Sequence, residues 1–361
     1  MTDRVFNFSP GPATLPLEVL EKVGKDVVNF QSTGIGLIEI SHRSKEFMAV
    51  ASEAESLLRE LLHIPENYKV LFLQGGASSQ FFMVPMNLLG KGKKATYLNT
   101  GTWAKKSIKE AKLFGDIDVA FSSEDTTFNR VPKDSEYQVA DDSEYLYYVS
   151  NNTIYGTEFL ETPVSEKMLV CDMSSDILSR PVDVKKYGVI FAGAQKNLGP
   201  AGVTIVIIRE DLLKRTPEGT PTMLSYSTHA DKDSMFNTPP CFPIYVVSEV
   251  LKWLKKLGGV EAIAKINREK AQLLYTAIDA GSYYRGHAEK ESRSLMNISF
   301  NLPTAELEAK FIAEANKIGL CGLKGHRSIG GCRASVYNAF PKAGVVKLVT
   351  FMQDFEAANP A

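Results

Sequence analysis

Apolar residues fall along this chain in two rhythms. Short, nearly unbroken runs of Val, Ile, Leu, Phe and Tyr occupy residues 69–74, 95–99, 117–121, 145–149 and 168–172, and two more lie within 189–208. Gly, Asn, Pro or Ser bounds them, which is how strands buried on both faces read. Between the runs, apolar positions recur every three or four residues. Leu20, Val23, Val27 and Phe30 make one such series, and Phe47, Val50, Ala54, Leu57 and Leu61 another; Val247, Leu251 and Leu254, then Leu307, Phe311, Ala315 and Ile318, repeat it. Helices are predicted there, over 80–89 and 260–280, and after Trp103, with a further strand at 296–300. Strands alternating with helices predict an α/β fold, a mostly parallel sheet flanked by helices.

Three stretches break both rhythms. Residues 5–16 hold three prolines and a glycine and should form an extended arm. Residues 31–44 and 217–243 are polar loops, and a loop as long as the second is usually functional or at an interface. Gly258-Gly259 ends a helix and marks the expected boundary between a large domain, 15–258, and a smaller C-terminal α/β domain, 259–361, with residues 1–14 as an N-terminal arm.

Composition narrows the function classes. The 361 residues carry a net charge of -1, so there is no general attraction to nucleic acid or to an anionic membrane, and an anionic ligand must be held by local groups. Cys171, Cys241, Cys321 and Cys332 are scattered without a CxxC pair, and the five histidines lack metal-ligand spacing, so reduced thiols and no metal site are expected. The N-terminus has no apolar signal core, and no apolar stretch is long enough to span a bilayer; the expected location is the cytoplasm.

Chemistry gathers at predicted strand ends. Lys196 sits in a polar turn between two apolar runs, where burial lowers a lysine's pKa and makes it a usable amine nucleophile for a carbonyl, although most lysines are merely solvated. Asp172, 24 residues earlier, ends another run. It reads either as a turn former or as the carboxylate that keeps a pyridine nitrogen protonated. Gly75-Gly76-Ala77-Ser78-Ser79 is either a plain tight turn or a phosphate cradle at a helix start. Trp103 is a ring-stacking platform or a packing residue, and Thr153 follows the run at 145–149. His42-Arg43, and His326, Arg327 and Arg333 among glycines, are solvated loop residues or anion clamps.

Nine segments, NFSPGPATLP, IEISHRSKEF, LQGGASSQF, NTGTWAKK, SNNTIYGTEF, CDMSSDILSRP, FAGAQKNLGPAG, FNTPPCFPIY and KGHRSIGGCRASVYNA, together resemble the phosphoserine aminotransferase family. These are class V, fold-type I aminotransferases dependent on pyridoxal 5'-phosphate. The resemblance implies that Lys196 forms the Schiff base with the cofactor and moves the proton, that Asp172 pairs with the pyridine nitrogen, that Trp103 stacks on the ring and that Thr153 lies near its phenolic oxygen. It implies that Ala77, Ser78 and Gln195 hold the cofactor phosphate with Asn237 and Thr238 of a second subunit, hence a homodimer with shared active sites and the arm near them. Arg333 matches the clamp for the substrate α-carboxylate. His42 and Arg43, with His326 and Arg327 from the other subunit, match the site for the distal anion. The implied reaction converts 3-phosphohydroxypyruvate and glutamate to O-phosphoserine and 2-oxoglutarate, as in serine biosynthesis, with 4-phosphohydroxythreonine as a possible further substrate. One departure is Ser78, where many members carry arginine, so one guanidinium of the distal pocket is missing. The alternatives are another class V enzyme, such as an alanine:glyoxylate aminotransferase or a desulfurase, and a non-catalytic binding protein of the same fold.

Overall fold

A seven-stranded sheet organises the chain. Its strands are β1 (Tyr68–Leu73), β2 (Lys94–Asn99), β3 (Asp116–Ser122), β4 (Ser143–Val149), β5 (Leu169–Asp172), β6 (Tyr187–Gly193) and β7 (Thr204–Arg209). In this computed structural model, which describes residues 4–360, they lie side by side in the order β1-β7-β6-β5-β4-β2-β3. Residues 1–3 of the expected arm and residue 361 of the expected small domain fall outside the described residues.

From β6 to β3 every neighbouring pair is parallel, while β7 runs antiparallel to both β6 and β1. Parallel strands covered by helices on both sides must be apolar on both faces, and β6 is buried at each of its residues. Alternate side chains divide between two cores. Phe72, Tyr148, Ile190 and Ile205 face the layer built by α1 (Leu17–Val28), α2 (Lys45–Leu62) and α5 (Cys241–Lys256). Leu71, Tyr147, Phe191 and Val206 face α3 (Gly76–Leu88) and α4 (Thr102–Ala111). Leu73, Gly193 and Thr204 are in register, so the carboxyl ends of β1 and β6 meet one edge, which the ends of β5 and β4 share.

The C-terminal part packs α6 (Gly259–Asp279), α7 (Ala305–Lys317) and α8 (Lys342–Ala358) around an antiparallel sheet of β8 (Arg285–Gly286), β9 (Asn297–Asn301) and β10 (Cys332–Ser335). The α6 helix links the cores: Val260 and Ile263 belong to the large one, Ala271, Leu274 and Ile278 to the small one. The arm joins the small core, since Phe6–Asn7 pairs with Leu320–Cys321 and Phe8 is fully buried against Phe340. Among the described residues no helix is long and apolar enough to cross a membrane.

Three sequence expectations need correction. Leu20 is 37% exposed; α1 starts directly after Pro16 and turns Val19 and Val23 inward instead, while Phe30 is buried only beyond the helix. Ile318 is 42% exposed because α7 ends at Lys317 and Gly319 turns the chain away with φ 80°. The loop at 217–243 is not structureless, for Tyr226–Ala230 is a short helix whose first residue is fully buried. The Tyr226 hydroxyl donates to Gln80 Oε1 at 2.6 Å, and its amide to Asn87 Oδ1 at 3.1 Å, tying the loop to α3. Tyr226→Phe strands that buried glutamine oxygen, and the expected outcome in chemical denaturation is a stability loss of about 1–3 kcal/mol.

Candidate active site

The tight connection between β6 and β7 sets Lys196 at the sheet edge. The Ala194 amide donates to Val203 O at 3.0 Å, and Leu198 and Gly199 both donate to Ala194 O, so the turn closes on itself. Lys196 Nζ donates to Thr153 Oγ1 at 2.6 Å and stands 5.6 Å from the centre of the Trp103 ring. Protein surrounds the ammonium while the side chain keeps one opening onto a cavity. Burial lowers its pKa to about 8; Arg333 adds to that effect, and Asp172 and Asp176 oppose it.

Asp172 ends β5 beside it, 4% exposed. Ser174 donates to Asp172 Oδ1 twice, from its amide at 2.9 Å and its hydroxyl at 2.6 Å, and that hydroxyl accepts from the Gly193 amide at 3.0 Å. Burial pushes the carboxyl pKa up, while the Lys196 charge and Ser174 pull it back. Ser174 was not legible as a site residue; its only signal is a serine two positions after an aspartate in a turn.

A cavity of about 300 Å³ lies between these groups, lined by Ala77, Ser78, Trp103, Asp172, Gln195 and Lys196 among others. The first turn of α3 forms one wall, and amide groups of a helix's first turn have no intrahelical partner. The helix begins earlier than the apolar pattern suggested, because Gly75 and Gly76 adopt φ 93° and 67° and are themselves the turn. A Cβ at Gly75 would lie 2.0 Å from Ser79 Oγ, so only glycine fits that cap. The Trp103 indole N–H is buried without a partner.

Arg333, on β10, is 6% exposed and donates to Thr153 O at 3.2 Å, so one threonine receives both the lysine and the arginine. The arm passes over Lys196: Ala13 N donates to Gln195 O at 2.9 Å, and a Cβ at Gly11 would approach Lys196 Cγ to 3.2 Å. His326 and Arg327 lie on the loop before β10, near enough to Arg333 for its charge to act on the His326 ring. Burial lowers the His326 pKa, and Arg333, Arg327 and Lys106 lower it further.

Of the expected site residues, Thr153, His326, Arg327 and Arg333 do not line the cavity, nor do His42, Arg43 or this chain's own Asn237 and Thr238. His42 and Arg43 occupy the loop before α2, with His42 Nε2 buried and unpartnered and Arg43 exposed. Asn237 and Thr238 are exposed, Thr238 O accepts from Gln74 Nε2 at 3.2 Å, and Asn237 lines a separate cavity beside Gly75 and Ser79.

An amine, an acid with one oxygen unfilled by protein donors, an indole and a helix N-terminus around one cavity fit an aromatic aldehyde that carries a ring nitrogen and a phosphate. Residues 5–348 match the model of the class-V aminotransferases. The chain is 75% identical to a phosphoserine aminotransferase of Desulfotalea psychrophila over 100% of both chains. It also resembles the solved phosphoserine aminotransferase from Bacillus circulans subsp. alkalophilus, at 50% identity and TM-score 0.96 over 99% of each chain. The pyridoxal phosphate-bound phosphoserine aminotransferase from Trichomonas vaginalis is similar at 40% identity and TM-score 0.93, covering 97% of this chain and 100% of that one. A match of this length and depth, on a chain whose lysine, acid and indole share one cavity, makes it a member of the class-V aminotransferases in their phosphoserine aminotransferase branch.

Proposed function

We propose that this chain transfers the amino group between glutamate and 3-phosphohydroxypyruvate, giving O-phospho-L-serine and 2-oxoglutarate, with pyridoxal 5'-phosphate as cofactor, in serine biosynthesis. The carrying observation is that the Lys196 amine, the Asp172 carboxyl, the Trp103 ring and the N-terminus of α3 open into one cavity. Relatives named for this activity across the whole chain favour it over another class V chemistry or a non-catalytic protein.

When bound, the cofactor supplies an aldehyde for the amino group and a ring that withdraws electrons from the substrate α-carbon. Lys196 carries and returns the proton at Nζ, a role suited to an amine whose pKa has fallen to about 8. Asp172 keeps the ring nitrogen's proton in place, and Trp103 covers the ring and excludes water. Thr153 accepts from the Lys196 amine, and its hydroxyl would be available to the ring's oxygen with the cofactor bound. Ala77, Ser78 and Gln195 grip the phosphate from one chain; Asn237 and Thr238 of the partner subunit complete the grip in a homodimer. Arg333 clamps the α-carboxylate. His42 and Arg43, with His326 and Arg327 from the other subunit, would take either distal anion, since guanidinium groups and imidazole N–H groups donate to phosphate and carboxylate alike.

We take residues 15–258 as the cofactor-holding unit and 259–361 as the small unit, with the 1–14 arm running over Lys196. The four free cysteines suit a reducing cytoplasm.

Lys196→Ala protein is expected to bind the cofactor without the visible absorbance of the lysine-linked form, and to lose at least about 10²-fold in transamination; turnover at the parent rate would sink the assignment. Below pH 8 the amine is mostly protonated and has no free electron pair. The rate at which cofactor-free protein takes up pyridoxal phosphate should therefore rise with pH, levelling off above about 8. A stopped-flow profile flat from pH 6 to 9, a range of about 3 units around that value, contradicts this. Mixing inactive Lys196→Ala and Thr238→Arg proteins and letting subunits exchange should restore about a quarter of parental activity, because half the dimers are hybrids with one intact site. No recovery despite proven exchange would rule out sites shared across the dimer.

A further inference from the structure

Three successive main-chain carbonyls in the turn after β5 each accept from a different asparagine side chain. Ile177 O takes Asn197 Nδ2 at 2.6 Å, Leu178 O takes Asn338 Nδ2 at 2.9 Å, and Ser179 O takes Asn267 Nδ2 at 3.3 Å. The asparagines also bond to one another. The Asn338 amide donates to Asn197 Oδ1 at 2.9 Å, and Asn267 Nδ2 donates to Asn338 Oδ1 at 2.8 Å. Their exposures are 6%, 0% and 5% for Asn197, Asn267 and Asn338, so each bond is made away from water, where an unmade one is costly.

The three come from separate parts of the chain. Asn197 follows Lys196 directly, Asn338 lies just beyond the strand that carries Arg333, and Asn267 is on α6. The gripped carbonyls belong to the turn that begins at Asp172. One turn along α6 from Asn267, the fully buried Lys270 donates to Val336 O at 2.8 Å, Tyr337 O at 2.7 Å and Phe340 O at 3.2 Å, which pins the segment on both sides of Asn338. At the centre of the gripped turn Leu178 has φ 60°, a left-handed conformation that a branched residue keeps only where its surroundings impose it.

We propose that Asn197, Asn267 and Asn338 are positioning residues that lock the turns carrying Asp172 and Lys196 against the segment carrying Arg333. None of the three lines the cavity, so they act through their neighbours. The proposal rests on the aminotransferase reading, in which the acid, the amine and the guanidinium must keep fixed separations although three different chain segments hold them. Small misplacements of such groups are expensive in rate.

The test uses cofactor-loaded Asn338→Ala, Asn197→Ala, the double variant, and Val345→Ala, a buried change in the small core that touches none of these bonds. Asn338→Ala should lower kcat at least about tenfold and move the pH midpoint of the cofactor's visible band by about half a unit or more. Val345→Ala, with a comparable fall in Tm, should do neither. Because the asparagines act as one unit, the double variant should lose no more than about twofold beyond the worse single variant. Asn338→Ala indistinguishable from Val345→Ala in kcat and midpoint would overturn the proposal, as would fully multiplicative losses in the double variant. Should Asn338→Ala not fold, Asn267→Ala, which removes only the bonds to Ser179 O and Asn338 Oδ1, is judged by the same two readouts. Parent protein unable to transaminate phosphoserine would remove the functional reading, while the band's midpoint would still decide the clamp.

Discussion

The Lys196 amine and the Asp172 carboxylate carry opposite charges in a place that disfavours both. Burial pulls the lysine toward its neutral form and the aspartate toward its acid form, and each charge partly restores the other. Ser174 adds two hydrogen bonds to the carboxylate, which favour its charged form against the burial. Behind it lies a second buried group, where Asp176 and Glu158 flank Arg180; burial drives both carboxyl pKa values up, a neighbouring acid adds to the shift, and the guanidinium opposes it. Such charges stay in place only if the frame around them does not yield.

The sheet supplies that frame. Its parallel strands need long crossovers, so their ends are free to carry short functional turns at one edge. The exception is β7, antiparallel to both its neighbours, and its connection from β6 carries Lys196. An antiparallel pair closes in a short connection, and the backbone bonds around Ala194 hold this one tightly. A lysine on a long crossover would have more freedom to swing toward water.

The cavity's remaining walls come from elsewhere. The arm lies along Lys196, yet its Phe8 is buried in the small core, so any shift of that core reaches the lysine. Arg333 behaves similarly: its strand belongs to the small sheet, and its guanidinium bonds to Thr153, in the turn that follows β4 of the large one. Arg333 and the Lys196 amine therefore meet through a single threonine. The buried asparagines behind them span the same two cores.

Much of this was legible in the residues alone. Unbroken apolar runs specify strands buried on both faces, and a polar residue ending such a run must lie at the sheet's edge, so Asp172 and Lys196 could be placed together without coordinates. Helix faces were less certain: Leu20 and Ile318 matched a helical period but point outward, because where a helix starts and stops rotates its inner face. The Tyr226–Ala230 helix was invisible, being too short to show a period and held by bonds to α3 distant in the sequence. The amino-acid sequence by itself determined the strands, the chemistry at their ends and the family. Tertiary structure decided that Arg333 meets Lys196 at one threonine and which asparagines stand behind them. Those facts depend on contacts between segments 20 to 180 residues apart in the chain, and no local pattern encodes such pairings.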